Sequence, residues 1–210
     1  MSCFFKEPVY RFRMRSANGQ LNIALFSTGT VMDPVQERKE VLALLTRVVS
    51  TLGQSMSERL IPSGGAQVGY AIRGARDKGG VAAVDGRIVV LDGKPCIGPC
   101  TFGCDEEIAR ALVTVMHFDP HRRSAALIRF SDRVLQMLDD DLFLECASYD
   151  PKKAPGGIST MDWGIASCCR GEVPDVIFPS GADDGEGMIL ILGEDPNDVA
   201  NNIIICSNRI

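Results

Sequence analysis

Histidine is nearly absent from this chain: His117 and His121 are the only two, and both lie in the charged stretch HFDPHRR. A site built on three histidine ligands is thereby excluded, and a hydrolytic triad would have to draw its base from that one loop. No apolar run approaches the roughly 18 residues needed to span a bilayer. The N-terminal stretch carries charges where a signal peptide needs an apolar core, so a soluble, cytoplasmic protein with no membrane partner is expected. A G-x-x-x-x-G-K-[ST] motif is missing, and GADDGEG near the C-terminus lacks the lysine, which rules out a P-loop NTPase. There is no G-x-S-x-G nucleophile elbow. Positive charge is not in excess either: 22 basic against 27 acidic residues leave a net charge of -5, with no global field to attract nucleic acid or anionic lipid. Arg11, Arg13 and Arg15 alternate with Phe12 and Met14, which reads as the solvent face of a strand.

Apolar residues are plentiful. With 210 residues, 45% of them hydrophobic and only 6% aromatic, the chain can bury one sizeable core. It is too large and too rich in core residues to need a disulfide framework, so its eight cysteines are expected as reduced thiols. Cys96, Cys100 and Cys104 could in principle hold a metal. Their spacing matches no zinc or cluster signature, and Pro95, Gly98, Pro99 and Gly103 break any helix that would align them, so small buried thiols are the expectation. Adjacent Cys168 and Cys169 receive the same reading.

Strand and helix patterns alternate. Asn18-Gly19 between RFRMRS and LNIALF predicts an N-terminal hairpin over residues 1–32, ahead of a single globular unit over 33–210. Asp33-Pro34 with Gln36 forms a capping box that opens a helix; Val41, Leu44, Leu45, Val48 and Leu52 make its apolar stripe, and Gly53 is expected to end it. A second hairpin is predicted at Asp92-Gly93, a loop through Cys100, and a helix from about Asp105. Next come a strand over 125–130, a short helix capped by Ser131, a strand over 142–149, and an exposed flap-like loop at DPKKAPGG. A helix from Thr160, strands at DVIF and MILIL and a helix capped by Asp195-Pro196 complete the pattern. Mixed connections of this kind predict an α/β sheet with helices on its faces.

The stretch from Ser63 to Arg87 reads as a strand between two glycine-rich turns, with Arg87 after a tight Asp85-Gly86 corner. Glycines let a backbone approach a ligand and offer bare amides to it, which suits a phosphorylated small molecule. Alternatively, Gly64, Gly65, Gly79 and Gly80 simply permit turns.

Several runs together resemble a known family. IPSGGAQVGYAIRGA, VAAVDGRIVVLDGK, FGCDEEIARALVTVMHFDPHRRSAALIRFS, STMDWGI, PDVIFPSG and GMILILGEDPNDVA are similar, in order and from about Asp33 to Cys206, to the archaeal ThiN-type thiamine-phosphate synthase domain. The resemblance implies a three-layer α/β/α fold with a mixed, largely antiparallel sheet, like the class II aldolase and phosphomethylpyrimidine kinase C-terminal domain group. It implies the joining of hydroxymethylpyrimidine diphosphate to a thiazole phosphate, giving thiamine phosphate and pyrophosphate, with Mg2+ as helper. Arg87 matches the family's essential arginine. Ser63, Gly64, Gly65, Gln67, Arg129 and Glu186 fall on its ligand-binding runs. Glu107 stands where the family has a catalytic histidine, Leu127 replaces an asparagine, and Gly185 falls where it has a lysine. The same domain also serves as a non-catalytic sensor of thiamine phosphates, which is the alternative reading. A homodimer with no direct nucleic-acid contact is the expected state.

Overall fold

The structure, a computed structural model, describes residues 12–15, 21–24, 33–183 and 187–210. They fall into two compact units, Met1–Gln36 and Glu37–Ile210. In the first, β1 (Phe12–Arg15) and β2 (Leu21–Ala24) pair antiparallel, Phe12 opposite Ala24 and Arg15 opposite Leu21, as expected of a hairpin. Its Asn18-Gly19 turn and the side chains of Arg11, Arg13 and Arg15 lie outside the described residues.

Helix α1 (Pro34–Ser55) opens where Asp33 accepts the Val35 amide at 3.1 Å. It runs past Gly53, which does not end it. A Cβ at Gly53 would stand 2.7 Å from Ile97 Cδ1, so this glycine serves close packing instead of termination.

The second unit is built on seven strands: β3 (Gln67–Ala71), β4 (Val81–Val84), β7 (Cys100–Phe102), β8 (Ser124–Arg129), β9 (Cys146–Tyr149), β10 (Val176–Pro179) and β11 (Met188–Gly193). Their spatial order is β7-β4-β3-β8-β11-β10-β9. All neighbours are antiparallel except β9 and β10, so the sheet is mixed and largely antiparallel. Between β4 and β7, β5 (Ile88–Leu91) and β6 (Lys94–Ile97) form the second hairpin, with Asp92 and Gly93 at positive φ of 51° and 72° in its turn.

Period-2 alternation along the strands gives the sheet two apolar faces. Ala82, Val84, Ala126, Ile128, Ile189 and Ile191 pack against α1 and α5 (Pro196–Ser207). Their sequence neighbours Val81, Ala83, Ala125, Leu127, Leu190 and Leu192 pack against α2 (Glu106–Met116) and α4 (Thr160–Cys168). Three layers result. Gln67, Leu127, Leu190 and Ile177 stand directly opposite one another in a row across four strands, all toward the α2–α4 layer.

Three segments depart from the sequence pattern. Cys100–Phe102, expected as loop, is the sheet's edge strand beside β4. The helix after Ser131, α3 (Asp132–Gln136), carries no side-chain cap bond and widens into a π-turn over Met137–Asp141. That turn ends just before the strand expected over 142–149; Phe143 adopts φ 53°, and only Cys146–Tyr149 pairs. The run LFL is apolar enough for a strand, but it follows directly on the turn and the left-handed Phe143 breaks its extension.

Sheet and helix approach closely at Gly69 of β3, where a Cβ would meet Ile108 Cγ1 at 2.9 Å and Leu112 Cδ1 at 3.1 Å. Gly69→Val forces α2 off the sheet, and an expected loss of about 1–3 kcal/mol is measurable by urea unfolding.

Candidate active site

Arg87 sits at one end of the sheet, in the turn that leaves β4. Gly86 (φ 78°) and Arg87 (φ 61°) both take left-handed conformations, and the Arg87 amide donates to Val84 O at 3.3 Å. For a non-glycine residue this is strained by about 1 kcal/mol or more, and such strain clusters at functional sites. The turn is held from the side by Gly65, itself at φ 85°: a Cβ there would lie 2.9 Å from Arg87 Cβ and 3.1 Å from Ile88 O. Gly65 is thus a close-approach glycine, whereas nothing lies near the missing Cβ of Gly64.

The guanidinium meets two carboxylates. Its Nε donates to Asp105 Oδ2 at 3.0 Å and its Nη2 to Glu107 Oε2 at 2.6 Å. Asp105 is also the N-cap of α2, accepting the Ile108 amide on Oδ1 at 3.0 Å, and its Oδ2 accepts Gln67 Nε2 at 3.0 Å. Gln67 is fully buried. Its amide closes the pattern by donating to Val84 O at 2.9 Å and accepting the Val84 amide at 3.0 Å. With both ends engaged, Gln67 supports the site from beneath and offers nothing to a ligand.

Burial opposes the charge of Asp105, but hydrogen bonds from Gln67 and the Ile108 amide, together with the charge of Arg87, outweigh it and hold the carboxyl below its ordinary value. Burial likewise works against Arg87, yet the Glu107 hydrogen bond and the Asp105 charge raise it further.

Two cavities open at this end of the sheet. One, of about 410 Å³, is lined by Arg59, Ser63, Val89 and Arg129 among others. The Nε of Arg129 is buried and has no hydrogen-bond partner among the described residues. The other, of about 220 Å³, has Glu107 as its one charged wall among the described residues; Leu127, Ile165, Ile177, Leu190, Met161 and Met188 make the rest largely apolar, with Tyr149 and Thr160 beside them. Leu127 and Arg129, two residues apart on β8, belong one to each cavity.

Tyr149 and Arg59 were not among the residues singled out from sequence. A signal for Tyr149 was present in Gly164, inside α4, where glycine costs about 1 kcal/mol and needs a packing reason. A Cβ at Gly164 would stand 2.5 Å from the Tyr149 ring, so the glycine seats that ring against the helix. Burial, then the nearby Cys168 and Glu107, raise the phenol's pKa.

The expected site residues therefore divide. Arg87 and Glu107 are in direct contact, Gly65 holds the turn, Ser63 and Arg129 share the larger cavity, and Gln67 lies beneath. Glu186 lies outside the described residues. His117 donates Nδ1 to Val113 O at 2.6 Å at the exposed end of α2, away from these cavities. Among the described residues no three Cys, His, Asp or Glu side chains are placed to hold a metal ion, and Cys100 is a buried thiol whose pKa burial raises.

A three-layer α/β/α domain with an arginine–carboxylate centre at one end of a mixed sheet is the class these observations define. The chain belongs to the thiamine-phosphate synthase ThiN family, whose model matches residues 44–205. It is 31% identical over 170 residues to the bifunctional thiamine biosynthesis protein ThiDN of Methanocaldococcus jannaschii, covering 79% of this chain and 40% of that protein. It is 32% identical over 129 residues to the thiamine-phosphate synthase ThiN of Methanothermobacter thermautotrophicus, covering 57% of this chain and 67% of that one. The chain thus spans well under half of the first relative's length. Its fold matches the crystal structure of the C-terminal domain of phosphomethylpyrimidine kinase with a TM-score of 0.73 and 30% identity, over 81% of this chain and 100% of that one. Among the described residues no helix is long and apolar enough to cross a membrane.

Asp105 gives the site a pH signature. Because its folded-state pKa is depressed, its contribution to stability is present above the ordinary carboxyl value of about 3.9 and is lost as pH falls through the lower folded value. Asp105→Asn should cost about 1–3 kcal/mol at neutral pH and flatten the fall in stability below about pH 4. Thermal melts of both proteins between acid and neutral pH check this.

Proposed function

We propose that this chain is a thiamine-phosphate synthase, joining hydroxymethylpyrimidine diphosphate to a thiazole phosphate in the cytoplasm. The observation that carries the reading is the placement of Arg129 in a charged cavity and Leu127 in an apolar one, two residues apart on β8, with Glu107 on the wall of the apolar cavity paired to Arg87. Two phosphorylated heterocycles need such a pairing of cation and apolar wall. In the reaction the bond between the pyrimidine's methylene carbon and the diphosphate oxygen breaks, and its electron pair leaves with pyrophosphate. The lone pair of the thiazole ring nitrogen forms the new carbon–nitrogen bond. No proton has to move, so a site without a histidine is compatible with the chemistry.

Cationic groups stabilise the departing pyrophosphate, and Arg87 and Arg129 are the candidates. Magnesium, expected from the resemblance, does not fit a protein-held site in the described part of the chain. Both Asp105 oxygens are already engaged, Glu107 is paired to Arg87, and no third ligand stands with them.

The second reading, a sensor that binds thiamine phosphate without making it, is favoured by the pairing of Arg87 with two carboxylates. Incubation of the pure protein with both substrates and Mg2+ decides between them: thiamine phosphate and pyrophosphate should accumulate. Absence of product together with binding of thiamine phosphate leaves the sensor. Arg129→Ala, which removes one charge-assisted contact, should weaken binding of the phosphorylated ligand about 10- to 100-fold, as read by calorimetry, and an unchanged affinity removes Arg129 from the site.

A further inference from the structure

Asp105 and Glu107 do not hold Arg87 in the same way. Asp105 is 9% exposed and fixed by three groups besides its own backbone: the Ile108 amide, Gln67 Nε2 and Arg87 Nε. Glu107 is 30% exposed and, among the described residues, is held by its contact with Arg87 Nη2 alone. Asp105 therefore sets the direction of the guanidinium from below through Nε, while Glu107 occupies the outer edge that an incoming anion would use. The Arg87 side chain is itself 25% exposed, so solvent and small anions reach that edge. Glu107 also has somewhere to go, since it already forms a wall of the cavity shared with Leu127 and Tyr149.

From this asymmetry we infer that Glu107 is a displaceable counter-ion of Arg87 and determines the specificity of the anion site. A ligand binds Arg87 by expelling the Glu107 carboxylate from Nη2. A monoanionic carboxylate ligand exchanges like for like and gains little. A pyrophosphate brings more charge and more acceptor oxygens than the group it displaces, and wins. The device selects polyanionic phosphates at the expense of raw affinity. It rests on the reading of Arg87 as an anion-binding residue, but does not depend on turnover.

The test is calorimetric binding of inorganic pyrophosphate to the full chain, with acetate as the monoanionic comparison. Glu107→Gln removes the charge but keeps the shape, and Glu107→Ala removes the competing group outright. Both should bind pyrophosphate about tenfold more tightly than the parent, the low end of the range for a charge-assisted bond because the pair is partly exposed. Acetate binding should also gain, narrowing the preference for pyrophosphate. In a background of Arg87→Ala the gain should vanish. Glu106→Gln is the control: it removes an equal charge from the same helical turn, but Glu106 faces Lys78 at 3.8 Å and not Arg87, so it should change affinity less than threefold.

Equal or weaker pyrophosphate binding in both folded Glu107 variants overturns the inference. So does a gain as large in Glu106→Gln, which would mean a general field effect, and so does a lack of binding in every variant. A protein that makes no thiamine phosphate yet tightens on Glu107→Gln loses the synthase reading and keeps this one. One that turns over but shows no tightening does the reverse.

Discussion

The buried Asp105 carboxylate is the constraint on which the rest of the site hangs. One of its oxygens starts α2 by accepting the Ile108 amide, and the other gathers Gln67 from β3 and Arg87 from the turn after β4. A single group thus fixes the register of a helix, a strand and a strained turn relative to one another. Gln67 extends the same control to the end of β4 through both backbone groups of Val84. Buried charges persist only when paired and hydrogen-bonded, and this one is saturated on both sides. The left-handed Arg87 is tolerable because its neighbours determine its place, with Gly65 leaving room for its Cβ and Asp105 receiving its Nε.

The layered core was legible in the sequence because it follows from periodicity. The stripe Val41, Leu45, Val48 and Leu52 and the apolar strands at 125–130 and MILIL need no tertiary information to be read. Edges and irregular turns were less legible. Cys100–Phe102 is too short to show alternation, and LFL before Cys146 is apolar enough for a strand but follows a π-turn and is broken by the left-handed Phe143. Gly53 looked like a helix stop since a glycine's local preference is to end helices, whereas its reason lies in Ile97, 44 positions away in sequence. At the site, Arg87, Glu107 and Arg129 were legible as chemistry-bearing types within family-like runs. Their pairing was not, because whether an arginine is free or spent depends on which carboxylates the fold brings to it.

That distinction reorders the two arginines. On sequence grounds Arg87 is the stronger anion clamp, and Arg129 is the second. In the folded protein Arg87 is matched by two carboxylates, and Arg129 has a buried Nε with no partner among the described residues. A buried unsatisfied donor costs about 1–3 kcal/mol, and a phosphate oxygen relieves that cost on arrival. On the proposed function Arg129 is thus the ready cation, and Arg87 is the oriented but occupied one.

The helix terminus beside them takes on an unusual role for the same reason. An α-helix start ordinarily attracts anions through its free amides and dipole. Here Asp105 takes up the Ile108 amide, and Glu106 and Glu107 add negative charge to the first turn, which disfavours a bare phosphate there. On the proposed function, anion recognition passes to side chains on the sheet and its turns, where charge is localised and geometry is directional. A terminus would accept any anion, whereas a guanidinium held by one fixed and one loose carboxylate accepts only an anion able to replace the loose one. The acidic turn that stabilises α2 is then also what makes the neighbouring arginine discriminating.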